Sequence, residues 1–169
     1  MWPLVLVMLT LPGLPAPGPI HRQHVSEGGW TLSTSRNAFT GRLACGLSGR
    51  AMQVEGGALV LAFPKAVDTS QAWLRIGSEP ASPWRRLIPE LRQMGVRLRF
   101  DDLDNPSRGR VPVPLRLVID ETTLSVAPDE RRSARRFVVA GLRDALERAN
   151  AQGCAFPIPG ASPAPDTSD

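Results

Sequence analysis

Apolar residues fall along this chain in short runs, and the runs are strand-like more often than helical. Leu43–Leu47, Ala58–Phe63 and Ala72–Ile76 are each bounded by Gly, Pro, Asp or Ser, which marks short buried strands. Gly56-Gly57 is placed to act as a tight turn feeding the second of these. Val96-Arg-Leu-Arg-Phe100 alternates, which puts Val96, Leu98 and Phe100 on one face and two arginines on the other. Asn105-Pro-Ser-Arg-Gly109 carries the turn chemistry to fold that strand back against Val111–Ile119. Pro112 and Pro114 remove ladder donors, so the start of that second strand belongs at an edge or bulge. Thr122–Ala127 predicts one further strand.

Two segments have helical spacing. Ser82-Pro83 reads as an N-cap with proline at the first helical position. Leu87, Ile88, Leu91 and Met94 then line one side before Gly95, and Pro89 inside the run kinks or restarts it. Near the end, Leu142, Ala145, Leu146 and Ala149 share a face opposite Arg143, Asp144, Glu147 and Arg148, and Gly153 stops the helix. Arg135–Val139 fits either an alternating strand or the start of that helix. Its β-branched residues favour strand to Val138 or Val139, with helix from about Ala140. These patterns predict one α+β domain over about residues 28–158, its body starting at Trp30. A mainly antiparallel sheet is expected, with a short central helix and a C-terminal helix packed on one sheet face.

The ends differ from this body. Trp2–Leu14 is an apolar run too short to span a bilayer, which needs about 20 residues. It reads as a secretory h-region, so residues 1–20 are expected to be a signal peptide and Pro-rich link, followed by a polar stretch to Gly29. Residues 159–169 are rich in Pro, Ser and Ala and predict a disordered tail. Cys45 and Cys154 are the two cysteines, and their spacing matches neither a zinc site nor a Cys-x-x-Cys redox motif. With export, they are expected to form a disulfide.

Composition narrows the chemistry. The chain has 169 residues, 20 basic against 16 acidic side chains, a formal charge of +4 and no tyrosine. Lys65 is the single lysine, so the basicity is arginine's. The two histidines, His21 and His24, lie in the polar stretch before Trp30, where a solvated link is expected. A histidine-free body argues against Ser-His-Asp and Cys-His catalysis. Glu55, Glu79 or Glu90 could pair with an aspartate in a carboxylate hydrolase, but no spacing selects a pair. Asp101, Asp102 and Asp104 lack the pattern of an EF-hand loop and are read as turn residues. No cofactor, metal site or catalytic residue is assigned.

Arginine clusters are the most conspicuous feature. Arg131, Arg132, Arg135 and Arg136 form a candidate anion patch, and Arg85, Arg86, Arg92, Arg97 and Arg99 form a second cluster. The few aromatics sit mostly in apolar runs, which argues against a nucleic-acid groove. An early tryptophan, a cysteine and Phe137, Gly141, Leu142, Ala145 and Leu146 loosely resemble small bacterial envelope proteins of the invasion-associated locus B type. The cysteine pattern departs from theirs, and no family is assigned on this likeness. The expected protein is exported, periplasmic or secreted, without a transmembrane span in its mature chain. Its expected role is that of a non-catalytic envelope accessory or binding module for a protein partner. The alternatives are a carboxylate hydrolase and an anionic-polymer binder using the arginines.

Overall fold

Glycine-marked turns fold the first part of the chain into a meander. The structure is a computed structural model and describes residues 21–64, 67–94 and 109–160. Gly28 and Gly29 take φ of 60° and 83°, the pair of left-handed residues that suits a two-residue turn between right-twisted strands. They join β1 (His21–Glu27) to β2 (Trp30–Arg36). β3 (Leu43–Gly49), β4 (Met52–Glu55) and β5 (Ala58–Ala62) follow, each antiparallel to the one before. The chain then forms β6 (Trp73–Ile76), β7 (Ser82–Pro83), a 3₁₀ turn at Trp84–Leu87 and α1 (Ile88–Gln93). β8 (Arg110–Pro114) and a second 3₁₀ turn at Leu115–Leu117 come next. β9 (Thr123–Ala127), β10 (Arg135–Val138) and α2 (Leu142–Ala151) complete the fold.

Two antiparallel sheets result, ordered β1-β2-β3-β4-β5-β8 and β10-β9-β6-β7. Their inner faces share one core with α2, in which Leu59, Leu61, Leu74, Val111, Leu124, Val126, Phe137, Leu142 and Leu146 are buried together. Burying the two helix leucines contributes roughly 1.5–3 kcal/mol each. α2 lies against β2 and β3, where the Trp30 indole N–H donates to the Ala140 carbonyl (3.0 Å). β5 is buried on both faces, because Ala58 and Val60 pack under Leu91 of α1 on the side away from the main core. The α+β reading and its two helices therefore hold. So does the bridge: Cys45 in β3 is disulfide-bonded to Cys154, just past α2.

Several local expectations change. The polar stretch read as a link contains β1, whose side chains from Gln23 to Glu27 are all exposed and so leave no alternation to read. It is tied in by its backbone bonds to β2, the Ser26–Thr31 hydroxyl pair (2.8 Å) and the ion pair of Glu27 with Arg148 of the last helix (3.4 Å). Ser82-Pro83 does not start a helix; it is extended and pairs with β6. The helix restarts at Ile88, with Pro89 in the first turn, where its missing N–H costs no bond. Met94 consequently falls beyond α1 and is 40% exposed. The segment expected as a strand from Val111 to Ile119 stops at Pro114, where the Leu115 N–H turns to the Gly57 carbonyl (2.9 Å). Pro112 and Pro114 do sit on the last strand of the six-stranded order. Arg135–Val138 is strand, as its β-branched residues suggested. The predicted strand Val96–Phe100, the Asp101–Asp104 acids and both chain ends lie outside the described residues. Gly109, at the end of the predicted turn, has φ 73°, and a Cβ there would come within 2.7 Å of the Pro64 carbonyl.

Trp84 has no solvent exposure, and its indole N–H donates to the Pro112 carbonyl (2.6 Å). Trp84→Phe keeps an aromatic ring but strands that carbonyl, so a loss of about 1–3 kcal/mol is expected in urea unfolding. The Cys45–Cys154 bridge spans 109 positions, and the chain-entropy account assigns such a loop on the order of 4–5 kcal/mol. Cys45→Ser/Cys154→Ser should lower the unfolding midpoint accordingly. An intact mass two hydrogens below the reduced value in the native protein checks the bridge itself.

Candidate binding cleft

The four-stranded sheet has a core face and an open face, and strand register decides which arginines reach the open one. Leu74, Leu124, Val126 and Phe137 point into the core. Their neighbours point outward: Trp73 opposes Ala127, while Arg75 and Arg136 both oppose Ser125. Arg75, Ser125 and Arg136 thus form a row across three strands. Its arginines are two strand spacings apart, roughly 10 Å at the backbone. Val138, 63% exposed, follows on the same face.

An open cleft of about 670 Å³ adjoins this face. Trp73 and Pro83 supply apolar surface, Arg85 enters from the 3₁₀ turn, and Arg131 and Arg132 come from the turn after β9. Asp129 shapes that last turn. Its Oδ1 accepts the Arg131 and Arg132 backbone N–H groups (2.8 and 3.0 Å), and its Oδ2 meets Arg132 Nε at 3.2 Å. The Arg85 Nε donates to the Ser70 carbonyl (2.9 Å), which fixes its guanidinium at the rim. A smaller hollow of about 320 Å³ continues over the sheet along Arg75, Ser125 and Ala134, and Trp73 and Glu130 line both.

The four arginines of the predicted patch do not stay together. Arg131 and Arg132 line the cleft, and Arg136 joins the outer row. Arg135 turns to the opposite face, because strand neighbours alternate. There its Nη1 donates to the Ala62 carbonyl (3.0 Å), and its guanidinium lies 4.9 Å from the Phe137 ring centre and 5.8 Å from that of Phe63. It works as a clamp between the sheets. Arg85 takes its place in the cleft, from the second arginine cluster. Arg97 and Arg99 lie outside the described residues.

Trp73 and Arg75 were missed as site residues because Ala72–Ile76 reads as one apolar run. The alternation Trp73-Leu74-Arg75-Ile76 was the available signal. Among the described residues, the guanidinium groups of Arg75, Arg131 and Arg136 have no acidic partner. Other arginines are paired: Arg110 with Glu55 (2.5 Å), Arg116 with Glu90, Arg143 with Asp120 (2.6 Å) and Arg148 with Glu27 (3.4 Å). Glu55 and Glu90, two of the carboxylates considered for hydrolysis, are thereby engaged. His24 lies on β1 opposite Ser33, far along the other sheet's order. No helix of the described residues is long and apolar enough to cross a membrane.

Set beside protein families, curated proteins and solved structures, the chain matches none of them. Geometry must carry the functional reading.

Asp68, near the cleft, has its carboxyl held below the usual range. The Ser70 backbone N–H (2.8 Å) is the main cause, then the Ser70 hydroxyl, with smaller help from Arg132 and Arg85 and some opposition from burial. A carboxyl depressed in the folded state stabilises the fold above its unfolded pKa, and that contribution is lost as pH falls through the folded value. Carboxyl NMR titration should therefore find Asp68 protonating below about 3.9, the free aspartate value. Ser70→Ala should raise it more than Arg132→Ala, and the reverse order would contradict this assignment.

Proposed function

We propose that this protein is an exported, non-catalytic binding module of the bacterial envelope, whose ligand is an anionic chain laid across the outer face of the four-stranded sheet. One observation carries this reading: the Arg85/Arg131/Arg132 cleft and the Arg75/Arg136 row meet at Trp73. Cations at intervals along a shallow track suit a polymer with repeated carboxylate or phosphate groups. The half-buried indole between them offers a flat apolar surface for a sugar ring. Guanidinium groups suit such anions because their planar fork can bind two oxygens at once.

Export is supported by the apolar run Trp2–Leu14 followed by Pro15–Pro19, and by the Cys45–Cys154 bridge, since disulfides persist in oxidising compartments. The carboxyls that are shifted weigh against hydrolysis. Asp68 and Asp120 are both held low, Asp120 chiefly by its bonds from Arg143, whereas a general acid needs a raised value. Protein docking through an apolar patch finds less support, because the exposed large apolar residues Val25, Phe39, Met94 and Val138 sit on separate elements.

Polygalacturonate and polyphosphate are suitable probes, with neutral dextran as control. Binding to the anionic polymers should fall steeply between about 50 and 200 mM salt. Arg75→Ala and Arg136→Ala should each weaken it about fivefold, the equivalent of about 1 kcal/mol for an exposed charge contact. Arg50→Ala, at the exposed β3–β4 turn of the other sheet, should leave it unchanged. Equal losses from Arg50 and Arg75 would mean diffuse charge attraction and defeat the assignment to this face.

A further inference from the structure

The turn between β2 and β3 holds an aromatic ring in water. Phe39 is 99% exposed, although rings of this size ordinarily gain from burial. The backbone around it is nevertheless fully organised. Asn37 Oδ1 accepts the N–H groups of Phe39 (2.9 Å) and Thr40 (2.8 Å). The Gly41 N–H donates to the Asn37 carbonyl (2.8 Å), and the Asn37 N–H to the Arg42 carbonyl (2.9 Å). Gly41 takes φ 68°, and the Arg36 Nη1 donates to its carbonyl (3.1 Å). The turn therefore presents Phe39 in a preformed shape, which reduces the ordering lost on contact.

Charge around the tip has one sign. Arg36 and Arg42 flank the turn and are exposed, and no acidic residue occurs from Gly28 to Val54. We propose that this hairpin tip is an interfacial membrane anchor. Phe39 enters the boundary between headgroups and acyl chains of an anionic bilayer, while Arg36 and Arg42 stay at the phosphate level. A bilayer fits the tip better than a protein pocket does. A protein hot spot needs a surrounding rim of contacts that excludes water, and the neighbours here, Ala38 and Thr40, are small and exposed. A fluid bilayer closes around a single ring without such a rim. One ring and two charges make a weak, reversible contact, of the kind that acts together with a second attachment. The tip belongs to the six-stranded sheet, so this inference stands independently of the polymer reading.

The chain also carries the apolar run Trp2–Leu14, so the readout must be local to residue 39. Phe39→Trp in the full chain, compared with the parent protein, isolates the fluorescence added at the tip. With vesicles of brominated phosphatidylcholine and phosphatidylglycerol, that added emission should shift to the blue and be quenched. Pure brominated phosphatidylcholine should quench it less, and Arg42→Glu should remove most of the effect. In vesicle sedimentation of the exported protein, Phe39→Ala should lower the partition coefficient about tenfold, with no change in thermal midpoint, as expected for a ring outside the core. The proposal is overturned if the residue-39 emission stays equally open to aqueous acrylamide with and without anionic vesicles. That outcome would also follow if the tip served a protein pocket instead.

Discussion

Trp84 combines two demands that few positions satisfy together: the largest fully buried side chain among the described residues, and a polar N–H that must find an acceptor away from water. The acceptor is the Pro112 carbonyl in β8, on the six-stranded sheet. The Trp84 backbone N–H meanwhile bonds to the Ala72 carbonyl (2.9 Å), just before β6 of the other sheet. One residue is thus tied to both sheets through separate donors. The chain before it cannot continue as helix, because Pro83 is extended against Trp73. The chain after it must place Arg85 beside the Ser70 carbonyl. The cleft rim is therefore fixed by a core constraint next to it in sequence.

The same constraint explains which parts of the fold were legible beforehand. Strands with a buried face announce themselves: Leu124 and Val126 alternate with Thr123, Ser125 and Ala127, and Ala58–Ala62 is apolar throughout because α1 covers its second face. α2 was readable from Leu142, Ala145, Leu146 and Ala149 because a stripe at spacings of three and four residues has little competing explanation. Where backbone bonding rather than burial holds an element, the pattern is silent. β1 pairs along its whole length with β2 while exposing its side chains from Gln23 to Glu27, so polarity there reads as a link. Ser82-Pro83 carried a genuine helix-start signal, but the burial of Trp84 and the pairing with β6 overrode it.

Site residues were harder to read for a different reason. Composition reports how many arginines there are, and clustering reports which are neighbours in sequence. Neither reports the face. Arg135 and Arg136 are adjacent, yet a strand sends one into a stack with Phe63 and Phe137 and the other outward beside Ser125. Arg85 and Arg131 are far apart in the chain and line one cleft. Register supplies what clustering lacks, and register follows from pairings such as Trp73 with Ala127 that only the folded sheet defines.

A basic isoelectric point consequently says little until the pairs are taken out. Arg110, Arg116, Arg143 and Arg148 each face a carboxylate, and they join β8 to β4, the second 3₁₀ turn to α1, and α2 to the segments around it. Arg36 and Arg85 bind carbonyls, and Arg135 binds a carbonyl and two rings. Arginine is suited to all of these because its charge is delocalised over a plane that can stack and donate at once. In this chain it does work that tyrosine hydroxyls or lysines share elsewhere. Once those roles are assigned, the cations left without an acidic partner at the small sheet, among the described residues, are Arg75 and Arg136 in one outer row and Arg131 in the adjoining cleft that Trp73 lines. Their arrangement, more than the formal charge of +4, is what the proposed polymer track rests on.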